Sequence, residues 1–233
     1  MISVSNVRIL VISFSTARSP LISVSNIRSH GTSVTNTRNT IISFSTARIS
    51  VISVSTARSP VIPVSTSKSP VITVSTSRSS VIAVNVAKSL VLLVYAARRP
   101  VISVSNTVHV SPVTSVTNNR SPVISFSAAI SPVISVSTAI TPVISASNTA
   151  HVSPVTSVTN NRSPVISFSA ARSPVISAST SRIPVIMVYA VRSPVITVDI
   201  AINPVISVSA ARSLVISFWL LRNIPSEISF RGN

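Results

Sequence analysis

The sequence predicts an all-β tandem-repeat protein, and three observations support this fold class. A ten-residue unit, typified by Val51–Pro60 (VISVSTARSP), recurs along residues 1–222. Val, Ile and Ser dominate the unit, and this composition favours extended chain over helix. Proline at the tenth position of many units would interrupt any helix every third turn. The alternative is a poorly ordered, β-prone low-complexity chain, because the sequence contains only two glycines for turns.

The units form a single array with two length variants. The units at 101–112 and 143–154 have twelve residues instead of ten, and the block 101–128 recurs as 143–170. No linker or change of composition divides the array. The sequence therefore predicts one domain of repeats, followed by a non-repeat tail at 223–233.

Each unit alternates apolar and small polar residues, as a strand with one buried face does. The alternation predicts that positions two, four and six face inward and that positions one, three, five and seven face solvent. In the typical unit, Ile52 and Val54 are the expected buried pair, and Pro60 ends the strand. Two architectures fit short strands at this spacing. One is an up-and-down meander, and the other is a solenoid with two units in each coil.

Positive charge is the strongest chemical signal. The chain has 19 Lys and Arg but two Asp and Glu, a formal net charge of +17. Position eight is usually basic, and in a register-locked stack its cations would repel by roughly 1 kcal/mol per neighbour at the strand spacing of about 4.8 Å. Such a stripe would attract a polyanion, nucleic acid included, without reading its sequence. Besides Arg8, the expected contacts are Arg18, Arg28, Arg38, Arg48, Arg58, Lys68, Arg78, Lys88 and Arg98.

Self-association through strands is a second expected interaction. The segments VISVS and VISFS combine high β-propensity with low charge, which is typical of aggregating segments. The flanking Arg and Pro residues oppose aggregation. No run of 18 apolar residues exists, so no membrane-spanning helix is expected.

Catalysis, metal binding and cofactor binding are not expected. The chain has no cysteine, its acids are Asp199 and Glu227, and its histidines are His30, His109 and His151. A serine nucleophile needs a nearby base and an orienting acid, and no spacing here supplies them. The histidines are interpreted as repeat variants at solvent-exposed turns. The sequence also has no glycine-rich phosphate loop and no zinc-ligand spacing.

Ser-Pro pairs that follow a basic residue are candidate sites for proline-directed phosphorylation. Phosphates there would cancel charge beside the cations. The candidate serines are Ser19, Ser59, Ser69, Ser121, Ser163, Ser173 and Ser193.

Four hypotheses for function remain open. The first is a non-enzymatic structural or interaction repeat, and the second is a non-specific polyanion binder. The third is a secreted or surface β-solenoid whose hydroxyl rows, such as Ser53 and Ser55, face ice or a polysaccharide. The fourth is a translated minisatellite without selected function. A thirty-base DNA repeat is divisible by three, so a reading frame without a stop codon stays open through every copy. The exchanges at position eight are also ones that a single base change can produce, and they mix charged with hydrophobic residues.

Overall fold

The computed structural model describes residues 1–16, 18–85, 88–107, 112–129, 132–147, 154–219 and 227–231. This described part of the chain is all-β and folds into a β-solenoid of about ten coils. It contains no helix long and apolar enough to cross a bilayer.

The described residues form twenty-one strands. In order they are β1 (Ile2–Ser5), β2 (Ile9–Ser15), β3 (Leu21–Ser25), β4 (Ile27–Phe44), β5 (Ala47–Val64), β6 (Ser67–Ser77), β7 (Ser79–Asn85), β8 (Val91–Tyr95), β9 (Arg99–Thr107), β10 (Val113–Asn119), β11 (Val123–Ala129), β12 (Val133–Ala139), β13 (Val143–Ser147), β14 (Val155–Thr159), β15 (Val165–Ser169), β16 (Val175–Ser181), β17 (Val185–Tyr189), β18 (Val195–Ala201), β19 (Val205–Ser209), β20 (Val215–Phe218) and β21 (Glu227–Arg231).

Parallel pairing between alternate units distinguishes the solenoid from a meander. Ile2 pairs with Ile22, and Ile52 pairs with Ile72, each twenty residues further along the chain. A meander would pair consecutive units in antiparallel fashion. Because the partner of each unit is the second unit along, one coil contains two units, and odd-numbered and even-numbered units form opposite sides of the stack.

The twelve-residue units are absorbed without loss of register. Val101 pairs with Val123 and Val143 pairs with Val165, so the offset rises to 22 residues across each long unit. The same rows of side chains continue on both sides of the insertion. The register of the described strands is therefore the same before and after each long unit.

Positions two and four fill the core, as the alternation predicts. Ile52 and Val54 are both fully buried, and their equivalents stack above and below them in the same rows. A small residue lies between two large ones in one of these rows, since Ala146 pairs with Phe126 on one side and with Phe168 on the other. The core is thus two ladders of β-branched and aromatic side chains that meet inside the coil.

The prediction for positions six and seven was wrong. Position six is exposed in almost every described unit, whereas position seven is buried in most of them, as Thr56 and Ala57 illustrate. At fifteen corners the cause is a left-handed backbone at position six, with φ between 48° and 59°. That conformation turns the chain and breaks the two-residue alternation. Position ten is also buried in most units, so Pro60 lies inside the coil.

Strand lengths differ between the two halves of the solenoid. From β10 to β20, each strand begins directly after a position-ten residue, as predicted. Before residue 112, β4 and β5 each run for 18 residues. They continue through the corner between consecutive units because the corner residues also pair with those of the next coil. Pro60 and Pro70 lie within such strands, so proline does not always end one.

Candidate functional site: the cationic edges

The solenoid has two flat faces and two edges. The first face carries positions one, three and five of the odd-numbered units, and the second face carries those of the even-numbered units. The edges are the corners made by positions six to nine. The predicted cation ladder therefore divides into two columns with at most one position-eight cation per coil, and the first column has none between Lys88 and Arg172. The first edge carries Arg8, Arg28, Arg48, Lys68, Lys88, Arg172, Arg192 and Arg212, and the second edge carries Arg18, Arg38, Arg58, Arg78, Arg98, Arg120, Arg162 and Arg182.

Backbone hydrogen bonds hold successive members of each column in line. On the second edge the N–H of Arg78 donates to the carbonyl of Arg58 at 3.2 Å, and the N–H of Arg182 donates to that of Arg162 at 3.1 Å. Neighbouring cations thus start one strand spacing apart, about 4.8 Å. All these side chains are exposed. Their long stems let the charged ends separate, which reduces the repulsion predicted for the stack.

Shallow grooves run along both edges, beside the cation columns. One groove on the second edge has a volume of about 490 Å³ and is lined by positions six to eight of four coils, including Arg38, Arg58, Arg78 and Arg98. Its counterpart on the first edge, about 440 Å³, includes Arg28, Arg48, Lys68 and Lys88. Position seven forms the floor, with small residues such as Ala57 and Ser77 in the groove of the second edge. Both grooves are therefore basic surfaces.

The second edge becomes less basic towards its C-terminal end. Ile140 and Ile202 replace the position-eight cation, and Ile200 replaces the position-six polar residue. These isoleucines line a groove of about 520 Å³ together with Arg162 and Arg182. The uninterrupted part of the column consequently runs from Arg18 to Arg120.

Two asparagines complete corners of the second edge. At some corners of the first edge the position-seven N–H donates to the position-six carbonyl of the next coil, as Ala47 does to Thr66 at 3.0 Å. Asn119 supplies an acceptor with its side chain instead: Oδ1 accepts from the N–H of Ala97 at 2.7 Å, and Nδ2 donates to the Thr117 carbonyl at 2.8 Å. Asn161 likewise accepts from the N–H of Ala139 at 2.7 Å. The residue that precedes each of these two asparagines has a left-handed backbone.

His30 lies in the interior, which corrects its assignment to a solvent-exposed turn. Its exposed fraction is 4% because it takes the inward position ten. Nε2 lies 2.6 Å from the Thr32 hydroxyl, and the ring lies against Phe44 with centroids 4.3 Å apart. Burial lowers the pKa of His30 from 6.5 to about 4, so its neutral form is favoured. His109 and His151 lie outside the described residues.

The candidate phosphorylation sites all lie at position nine, next to the cations. Ser59 is exposed, as are Ser19 and Ser193, whereas Ser69, Ser121, Ser163 and Ser173 are half-buried. The Ser121 hydroxyl lies 3.0 Å from that of Thr141. The structure thus places each serine on an edge, between a cation and a proline that is buried in every case except Pro20, which is half-buried.

The described residues bring together no group of three or more His, Asp or Glu side chains that could hold a metal ion. Asp199 is half-buried at position five of the second face, and the side chain of Glu227 is not described. The chemistry that the structure assembles is therefore that of repeated cations. No family model, curated protein or solved structure matches this chain.

Proposed function

We propose that this chain is a non-catalytic solenoid that binds nucleic acid by its phosphates, along the second edge. The observation that supports the proposal is the row of six exposed arginines, one per coil, at Arg18, Arg38, Arg58, Arg78, Arg98 and Arg120. With two acids in the whole chain, nearly all of this charge lacks an internal counter-charge. Phosphate binding releases counterions from the nucleic acid, and that release supplies the affinity.

The groove favours backbone contact over base recognition. None of the residues at positions six to nine of this edge, from Thr16 to Ser121, is aromatic, so no platform for base stacking lies along it. The groove floor is made of short side chains such as Ala57 and Ser77, which offer few groups for base edges. We therefore expect binding that is independent of sequence and strongly weakened by salt.

Fluorescence anisotropy with a labelled single strand of mixed sequence tests the proposal. Six phosphate contacts predict a slope of log K against log salt of about −4, since each contact contributes about −0.7. In the triple variant Arg38→Gln, Arg58→Gln, Arg78→Gln, we expect the slope to become shallower by about 2. The matched control is Arg172→Gln, Arg192→Gln, Arg212→Gln, which removes the same charge from consecutive coils of the first edge.

The control separates edge binding from net charge. We expect the control to retain the slope of the parent chain. An equal loss in both triple variants would mean that net charge alone drives association. Affinity that does not change with salt, or no binding at low salt, would reject the nucleic-acid proposal altogether.

Phosphorylation would regulate the same edge. Ser19, Ser59, Ser121 and Ser163 belong to the second edge, and Ser59 directly follows Arg58. A phosphate there carries about −1.5 to −2 charges at neutral pH and would compete with nucleic acid for the arginines. We expect Ser59→Glu to weaken binding modestly, whereas Ser59→Gln should not.

The minisatellite hypothesis makes a different prediction, which concerns expression and not binding. An unselected translation product has no reason to accumulate. Reproducible detection of peptides from the endogenous protein by mass spectrometry would therefore reject that hypothesis, and their consistent absence would support it.

A further inference from the structure

The first face is the longest uninterrupted neutral surface of the described chain. Across eight coils, from Leu21 to Ser169, its outward side chains are only Val, Ile, Leu, Ser, Pro, Ala or Asn. The second face is interrupted by Leu93 and Tyr95 near its middle and by Asp199 towards its C-terminal end. Between Leu21 and Ser169 the first face therefore lacks the charges and aromatic projections that would prevent close contact with another sheet, and Tyr189 projects from it only beyond this stretch.

An apolar strip runs along this face. Most of its position-one residues remain exposed even though the strands are paired, with exposed fractions of 44% for Ile41, 40% for Val101 and 38% for Val143, and the others are half-buried. Beside the strip lie two rows of serines at positions three and five. A continuous exposed apolar patch of this kind typically marks an interaction surface.

We propose that the first face binds the first face of a second copy of this chain, giving a two-fold symmetric dimer. The repeat distance favours this partner. Side chains on the face recur every strand spacing, about 4.8 Å, and interdigitation requires a partner with the same repeat. A second copy presents that repeat together with the same small side chains. Two flat sheets packed in this way lie about 10 Å apart.

The available area is sufficient for a stable dimer. Eight coils at about 4.8 Å and strand segments of about 16 Å give roughly 600 Å² on each copy. The total, about 1,200 Å², is at the lower limit for specific interfaces. No charged side chain needs to be desolvated, because the cations stay on the edges.

The edges make the dimer dependent on salt. In the dimer, the cation columns of the two copies border the interface on the same sides. Their repulsion acts over about 10 Å, which is the screening length at about 0.1 M salt. Added salt should consequently strengthen the dimer. This dependence has the opposite sign to that of nucleic-acid binding, so each proposal can fail independently of the other.

Sedimentation velocity without nucleic acid, at 0.05 M and 0.5 M NaCl, tests the proposal. We expect the fraction of dimer to increase with salt. The variant Ser125→Lys, Ser145→Lys places cations on the first face and should weaken dimerisation at least tenfold at 0.5 M NaCl. The control Ser135→Lys, Ser157→Lys adds the same charge at matched positions of the second face and should dimerise as the parent chain does.

Thiol labelling tests the interface without added charge. The chain has no cysteine, so Ser145→Cys and Ser157→Cys each introduce a unique thiol. At 0.5 M NaCl and high protein concentration, a maleimide should label the Ser145→Cys variant several-fold more slowly than when dilute. The Ser157→Cys variant should show no such change. A monomer at both salt concentrations, or equal behaviour of the two faces in both experiments, would overturn the proposal.

Discussion

On the faces of the solenoid, large side chains point inward and small ones point outward, whereas on the edges this order is reversed. Beneath the first face lie fully buried residues such as Ile124 and Phe126, while Ser125 between them faces solvent. At the second edge the inward residue is small, as Ala57 is, and the outward residue Arg58 is long and charged.

The difference follows from the geometry of the coil. Along a face, the strands leave room between the two sheets for Ile, Val and Phe. At a corner the inward position seven holds mostly small residues, although Ile27 and Val191 are also buried there. One ten-residue unit thus provides stability through its first half and charge through its second half.

Removal of a large side chain beneath a face should cost the most stability. We expect Phe126→Ala to lower the free energy of unfolding by about 3–5 kcal/mol, because its row neighbours Val104 and Ala146 cannot fill the cavity. Urea denaturation measures the change. The outward control Ser125→Ala should stay within about 0.5 kcal/mol. A cost below about 1 kcal/mol for Phe126→Ala would show that the core is not tightly packed.

Acid should destabilise the corner that holds His30. Its folded pKa of about 4 lies below the unfolded value of 6.5, so the unfolded chain binds the proton first as the pH falls. Stability is therefore complete above pH 6.5 and declines towards pH 4, by up to about 3 kcal/mol at 1.36 kcal/mol per pH unit. The control is His30→Leu, since Leu10 takes the same row position. Urea titrations of both proteins with the same slope against pH would contradict this prediction.

Loss of a corner hydrogen bond should have a smaller effect. Asn119→Ala removes the acceptor for the Ala97 N–H, and we expect a cost of about 1–3 kcal/mol, as for other buried groups left unpaired. Thermal unfolding followed by circular dichroism measures it. Asn161→Ala should behave alike, since Asn161 makes the equivalent bond. Unequal effects, or no effect, would indicate that a backbone carbonyl can replace the amide.

Relief of backbone strain should give the smallest change, and it should be stabilising. Thr56 has φ of 52°, a left-handed conformation that asparagine adopts more readily than a β-branched residue. We expect Thr56→Asn to raise the free energy of unfolding by about 0.5–1 kcal/mol. Thr66 is a position-six residue without a left-handed backbone, so Thr66→Asn should give no gain. Equal gains at both positions would refute the strain argument.

The sequence was sufficient for the strand assignment, the inward positions two and four, and the choice of a solenoid as one of two architectures. Composition and alternation determine these features, as Ile52 and Val54 show. Position six was assigned to the buried face because the alternation was continued through the corner, and no glycine in the unit indicates that corner. Threonine and alanine are the residues at Thr56 and Ala96, and neither is a usual signal for a left-handed backbone.

The cation site was predicted in its residues but not in its arrangement. Arg58 and Lys68 are neighbours in the repeat, yet they lie on different edges because one coil contains two units. The division into two edges depends on which units pair with each other. A ten-residue period does not show whether consecutive or alternate units pair. The burial of His30 was missed for a related reason, since position ten turns inward only after the corner at position six.

Within the repeats, the position-eight cations lie on the edges, and Asp199 is the one charged residue at positions one, three and five. The opposite salt dependence of the two associations provides the decisive test of this division between edges and faces. Sedimentation velocity of the parent chain over 0.05–0.5 M NaCl, with and without a labelled single strand, measures both in one series. We expect dimerisation to strengthen while nucleic-acid binding weakens with a log–log slope of about −4. If both associations weaken together, charge would drive both, and the division between faces and edges would be contradicted.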